Sequence, residues 1–118
     1  MGLASKRVLG EYWAMSYEQF LRSLADPAPP ADAEMALRAL WFDANNRPES
    51  AIRAAEFDSS HFCQRVRAYL YRKAGDSNNA QLWYWRSGAT QWAGSAQSEW
   101  EDIVKTILAE RAVSNAYT

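Results

Sequence analysis

Apolar residues in this chain recur three and four apart, in short stretches that a proline, a glycine or a run of small polar residues cuts off. That spacing places them on one face of a helix, which turns through about 3.6 residues. The stretches are Phe20, Leu21 and Leu24; Leu37, Leu40, Trp41 and Ala44; Ile52 and Ala55; Phe62, Val66, Tyr69 and Leu70; and Trp100, Ile103, Val104, Ile107 and Leu108. No segment alternates apolar and polar residues between hairpin turns, so strands are not expected.

The punctuation sets the boundaries. Ser16 and Gln19 form an S-x-x-Q capping box that opens the first helix. The run Asp26 to Pro30 closes it, because proline lacks an N–H and restricts the residue before it. A second helix is expected over Asp32–Ala44, with Asn45-Asn46-Arg47 turning into Pro48 at the first position of the next. A third spans Glu49–Phe57, and Asp58-Ser59-Ser60 caps a fourth that runs to Ala74. Gly75 suits a C-cap, and the turn Asp76 to Asn79 leads into a fifth helix over Ala80–Arg86. Ser87-Gly88 ends it, a loop holding Trp92 follows, and a last helix covers Ala96–Ala112. Its charged residues Glu99, Glu101, Asp102, Lys105 and Glu110 are read as its wet face. Residues 1–15 have no period and read as an irregular arm, packed by Tyr12, Trp13 and Met15.

Six short helices on brief turns make an all-α fold of antiparallel helical hairpins, a single domain over residues 1–118. An internal echo supports it. Shifted by 29 residues, Arg38-Ala39 falls on Arg67-Ala68 and Ala51 on Ala80, while Leu37, Leu40 and Phe42 meet Val66, Tyr69 and Tyr71. Tetratricopeptide-type hairpins are similar but repeat at about 34 residues. Two imperfect copies are a weak signal, since any two amphipathic hairpins echo in part.

Composition narrows the function classes. The net charge of −1 supplies no field to draw in nucleic acid. Residues 31–60 nonetheless carry six acids against three arginines, and residues 61–80 carry Arg65, Arg67, Arg72 and Lys73 against Asp76. Two mutually attracting helices account for this; a basic stripe for an acidic partner is the other reading. Cys63 is the one cysteine, so neither an intrachain disulfide nor a cysteine zinc cluster can form. The opening residues lack the apolar core of a signal segment, and no run of about 18 apolar residues exists to span a bilayer. Lys6 stands where a myristoylation signal needs Ser or Thr. A cytoplasmic protein is expected.

The segment Ala68 to Trp85, AYLYRKAGDSNNAQLWYW, resembles a family of small uncharacterised bacterial proteins with a stretch close to H-A-Y-L-H-R-x-E-G-D-x-x-N-A-x-Y-W-Y. Ala68, Tyr69, Leu70, Arg72, Gly75, Asp76, Asn79, Ala80, Trp83 and Tyr84 carry the likeness, allowing a small shift at the aromatics. Arg67 and Tyr71 stand where that motif has His, Ala74 where it has Glu, and Ile52 where an upstream His would fall. The resemblance implies helical hairpins and no established activity, and a site built on those histidines would be lost here.

Chemistry-bearing groups are sparse. Gly75, Asp76, Asn78 and Asn79 are the most specific polar cluster, and capping explains them better than catalysis does. His61 and Cys63 lie two apart on a helix, so they diverge and form neither a metal site nor a nucleophile pair. No catalytic residue, metal or cofactor is expected. Arg67 and Tyr71, one turn apart, could line a groove with Trp83 and Trp85; an Arg67 paired with Glu56 or Asp43 over core aromatics is the structural alternative.

The sequence therefore reads as a non-catalytic protein- or peptide-binding helical module, with binding candidates Arg67, Tyr71, Arg72, Asp76, Trp83 and Trp85 and room for a homodimer. The alternative is a small-molecule binder or enzyme with a pocket between the fourth and fifth helices, using Arg72, Asp76 and His61.

Overall fold

A computed structural model describes residues 15–116. The described residues form six helices and no strand: α1 (Tyr17–Ser23), α2 (Met35–Ala44), α3 (Pro48–Ala55), α4 (His61–Lys73), α5 (Ser77–Ser87) and α6 (Ala96–Ala116). Tyr12 and Trp13 of the expected arm lie outside the described residues. Met15 is half-buried and packs against the core.

The caps sit where their residue types demand. Ser16 accepts from the Gln19 amide at 3.0 Å while the Gln19 side chain accepts from the Ser16 amide at 2.9 Å, closing the capping box. The Asp76 carboxylate accepts from the Asn79 amide at 3.2 Å, so α5 begins at Ser77, a turn before the expected Ala80. α2 begins at Met35 instead of Asp32. Arg38 holds the carbonyls of Ala33 and Ala31 at 2.9 Å each, which fixes that stretch outside the helix. α3 ends at Ala55, short of Phe57, because Arg67 takes the Ala55 carbonyl at 2.9 Å. α6 continues past Ala112 to Ala116.

α2 packs chiefly on α3 and α4 on α5, giving two helical hairpins, while α6 runs across α4 and α2. Alanines make the close approach possible: Ala39 and Ala51 in the first hairpin, Ala68 and Ala80 in the second, all essentially inaccessible. The 29-residue echo extends to the backbone. Each hairpin turns through a left-handed residue, Asn46 at φ 59° and Gly75 at φ 85°. In each, the next amide returns to the matching carbonyl, Arg47 to Phe42 and Asp76 to Tyr71, both at 2.9 Å. This is the Schellman closure of a helix end. The second hairpin needs glycine there less for space, since a Cβ on Gly75 would meet nothing within 4 Å, than for its positive φ.

One buried cluster joins α1, α2, α3, α4 and α6 around Phe20, Leu37, Leu40, Trp41, Val66 and Ile103. Its indole groups are satisfied: Trp41 Nε1 donates to the Ser23 carbonyl at 3.0 Å, and Trp100 Nε1 to the Leu40 carbonyl at 2.9 Å. A smaller cluster, Ala68, Ala80 and Tyr84, lies between α4 and α5 with Tyr71, Trp83, Ala89 and Trp92 against it. Glu99 is not on the wet face of α6. It is fully buried, one helical turn before Ile103 on the same side.

Candidate functional site

Among the described residues two carboxylates are buried, Asp43 and Glu99, and each is met by a tyrosine hydroxyl and a cation. Buried carboxylates persist only when paired and hydrogen-bonded, which makes both clusters deliberate features of the fold.

Asp43 lies in the last turn of α2. Its Oδ2 accepts from the Tyr69 hydroxyl at 2.7 Å and its Oδ1 from Lys73 Nζ at 2.9 Å, both partners coming from α4. Burial, and then donation to Asp43, push the Tyr69 hydroxyl well above the ordinary tyrosine value. Lys73 keeps 45% of its side chain exposed, so part of its hydrogen-bonding capacity faces outward.

Glu99 sits at the centre of the second cluster. Arg72 Nη1 donates to its Oε1 at 3.0 Å, the Tyr84 hydroxyl to its Oε2 at 2.5 Å, and Arg65 Nε approaches Oε2 at 3.8 Å. Arg72 also donates to the Gly94 carbonyl, and Arg65 reaches Asp102 at 3.4 Å while lying over the Trp92 ring. Burial and the bond to Glu99 raise the Tyr84 hydroxyl. This cluster ties α4, α5 and α6 together and opens into neither of the cavities described next.

Beside Asp43 the surface is concave. A cavity of about 560 Å³ lies between α2, α3 and α4, lined by Pro48, Ile52, Leu70, Tyr71 and Ala74, with Asp43, Lys73 and Asn46 at its polar edge. A second, more polar one of about 280 Å³ lies toward α1 and α6, lined by Leu21, Leu24, Ala44, Tyr69, Gln97 and Trp100. Asp43, Asn46 and Lys73 line both cavities. The Asn46 backbone amide donates to the Asp43 carbonyl at 3.1 Å; among the described residues neither the Asn46 side chain nor the Tyr71 hydroxyl takes a hydrogen bond.

The six candidate residues of the sequence reading do not share one groove. Tyr71 lines the larger cavity. Arg67 takes the Ala55 and Asp58 carbonyls at 2.9 and 3.0 Å, and its guanidinium lies 4.6 Å from the centre of the Trp83 ring. Arg86 covers Trp83 as well, at 4.8 Å. Arg72 serves Glu99, and Asp76 caps α5. Trp85 projects outward with 79% of its surface exposed. Where α4 meets α5 the contact is filled by Ala68, Ala80 and Tyr84, and neither of the two cavities lies there. His61 is exposed against Phe62, and Cys63 is buried. No three His, Cys, Asp or Glu side chains among the described residues come close enough to hold a metal ion, and no helix among them is long and apolar enough to cross a membrane.

Asn46, Lys73 and Glu99 were not singled out from the sequence. Glu99 carries a readable signal, because it heads the face that continues through Ile103 and Ile107. Asp43 lies three residues after Leu40, at the end of the α2 stripe. Nothing local marks Asn46 beyond its turn.

No model of a known protein family matches the chain, and no curated protein or solved structure matches it.

Proposed function

We propose that the protein is a non-catalytic binding module that takes an apolar part of a peptide or protein partner into the cavity between α2, α3 and α4. The observation that carries this reading is the cavity itself: about 560 Å³, walled by Ile52, Leu70 and Tyr71, with a single ion pair at its edge. Apolar concavities with few polar groups are the usual form of a ligand site. The polar edge offers no free carboxylate for catalysis, because Asp43 is already committed to Tyr69 and Lys73. A single buried thiol suits the reducing conditions of a cytoplasm.

A phage-displayed library of random peptides, panned on the wild-type protein and on Ala74→Trp, tests the reading. Ala74 is exposed at the rim, so a tryptophan there fills the cavity without entering the core. Peptides with an apolar residue, enriched on wild type and at least tenfold weaker on the variant, are the expected result. A small-molecule site is the second reading, favoured by a volume within the range of about 300–1,000 Å³ typical of such ligands. It replaces the first if no peptide is enriched and a metabolite mixture raises the Tm of wild type but not of Ala74→Trp.

A further inference from the structure

The basic run on α4 is mostly neutralised within the fold. Arg65 and Arg72 meet Glu99, and Lys73 meets Asp43. Arg67 is the exception. It gives Nε and Nη2 to the carbonyls of Ala55 and Asp58, keeps Nη1, and lays its guanidinium 4.6 Å from the centre of the Trp83 ring. A second guanidinium, that of Arg86 in the last turn of α5, lies 4.8 Å from the same centre. Among the described residues neither arginine forms an ion pair. The Asp58 carboxylate, close to Arg67 in the fold, accepts instead from the Ser60 amide at 3.0 Å. Two like charges thus share one indole within about 10 Å of each other, roughly one screening length at 0.1 M salt. The α5 dipole accounts for a cation at that helix end, and the loop carbonyls account for Arg67, but neither supplies the negative charge that would relieve the repulsion.

An apolar strip adjoins the pair. Leu82 lies four residues before Arg86 and three before Trp85, spacings that make neighbours on a helix surface. Leu82 is 39% and Trp85 79% exposed, and Arg86 is exposed beside them. None of these residues, nor Arg67 or Trp83, lines either cavity. Arginine beside exposed tryptophan is the side-chain pairing most typical of binding hot spots.

We propose that the outer edge of α5 is a second binding surface, which takes an acidic and apolar segment of a protein partner: an Asp or Glu carboxylate at Arg67 and Arg86, and an adjoining apolar side chain against Leu82 and Trp85. A carboxylate matches the guanidinium fork and supplies the charge that the arginine pair lacks. Protein is favoured over nucleic acid on two counts. The net charge of −1 gives no field to draw in a polyanion, and with two guanidiniums on Trp83 a nucleic acid would have Trp85 alone for base stacking. The surface is separate from the α2–α3–α4 cavity and does not depend on what that cavity holds.

The test pans the phage-displayed random peptide library on wild type and on Arg86→Glu. Enriched peptides, synthesised with amidated C-termini so that only side chains carry carboxylates, are then measured for Kd against wild type, Arg86→Glu, Trp85→Ala and Ala74→Trp. Arg86 and Trp85 are exposed, so both variants should fold, as circular dichroism would verify. Should Arg86→Glu not fold, Arg86→Gln takes its place with an expected loss of at least threefold. The expected result is a set of peptides with Asp or Glu close to an apolar residue, bound at least tenfold more weakly by Arg86→Glu and by Trp85→Ala and equally well by Ala74→Trp. Lysine in place of the peptide's acid should weaken binding to wild type and recover it on Arg86→Glu, a reversal that a folding defect does not produce. Peptides that need no acidic residue, or that ignore Arg86→Glu, overturn the proposal. Peptides weakened by Ala74→Trp alone overturn it and leave the cavity reading standing. A fluorescein-labelled oligothymidylate that binds wild type but not Arg86→Glu, with no acidic peptide enriched, overturns it in favour of nucleic acid. If panning enriches no peptide at all, both this proposal and the cavity's peptide reading fall.

Discussion

Arg38 and Arg67 stand 29 residues apart and hold equivalent pairs of backbone carbonyls, each through Nε and Nη2: Ala33 and Ala31 for the first, Ala55 and Asp58 for the second. Both anchor the segment that precedes their own helix. Hydrogen bonds from a charged donor stabilise by about 1.5–3 kcal/mol each when shielded, less when water competes. Arg38→Ala and Arg67→Ala are each expected to lower stability by about 1–3 kcal/mol. Lysine should restore little at either position, because an ammonium lacks the planar fork that serves two acceptors. Urea unfolding midpoints of the four variants check this. A full rescue by lysine would mean that charge alone, not the fork, is at work.

Glu99 is the sharpest point of vulnerability. Removing its carboxylate leaves Arg72 and Arg65 short of a partner and the Tyr84 hydroxyl unpaired. Breaking a buried ion pair by deleting one partner costs about 3–5 kcal/mol, a large part of the stability of a small domain. Glu99→Ala should be largely unfolded at 37 °C, while Glu99→Gln, which keeps the shape and an acceptor, should fold with a lowered Tm. Circular dichroism melts of the two distinguish them. Equal Tm values for Glu99→Ala and wild type would show the cluster to be energetically idle.

Tyrosine ionisation gives stability an alkaline limit. Tyr69 and Tyr84 both donate to buried carboxylates, and both hydroxyls are held above the ordinary 10.0. A group whose folded pKa is raised adds stability that is fully present below its unfolded value and lost as pH climbs toward the folded one. The contribution of these two should therefore be constant below about pH 10 and shrink above it. Absorbance titration near 295 nm should show two tyrosines resisting ionisation until the protein unfolds. The Tyr69→Phe/Tyr84→Phe variant should lose both the resistance and that part of the pH dependence.

Cys63 is buried at the foot of α4, and burial pushes its thiol up, so it offers little thiolate at neutral pH. The native protein should react slowly with Ellman's reagent and rapidly in 6–8 M urea. A fast native reaction would mean that the first turn of α4 opens readily.

The helices were legible because their ends carry local chemistry. Ser16 with Gln19, Pro48 and Gly88 each mark a boundary through groups within four residues of themselves. The starts of α2 and the end of α3 were misjudged for the opposite reason: arginine side chains set them, and Arg67 reaches 12 residues back to Ala55. The site was harder to read. Tyr71 was named as a candidate, but the residues around it in its cavity come from three helices, and Asp43 meets Lys73 across 30 residues of sequence. Arg67 and Trp83 were read as flanking a groove; in the structure the Arg67 guanidinium lies on the Trp83 ring, with Arg86 on the same ring. Glu99 was misjudged because charge was allowed to outvote period, and a helix face follows the period whenever a cation waits on the other side.

The hairpin of α4 and α5 has a bearing on how the molecule breathes. α5 is bracketed by two left-handed glycines, Gly75 at φ 85° and Gly88 at φ 77°, and packs chiefly on α4, with the Tyr84 hydroxyl reaching across to α6. An element fastened mainly along one side can detach as a cooperative unit below the cost of global unfolding. Backbone amides of α5 should thus exchange with deuterium ahead of those of α2. Because α5 lines neither cavity, that opening leaves both of them as they are.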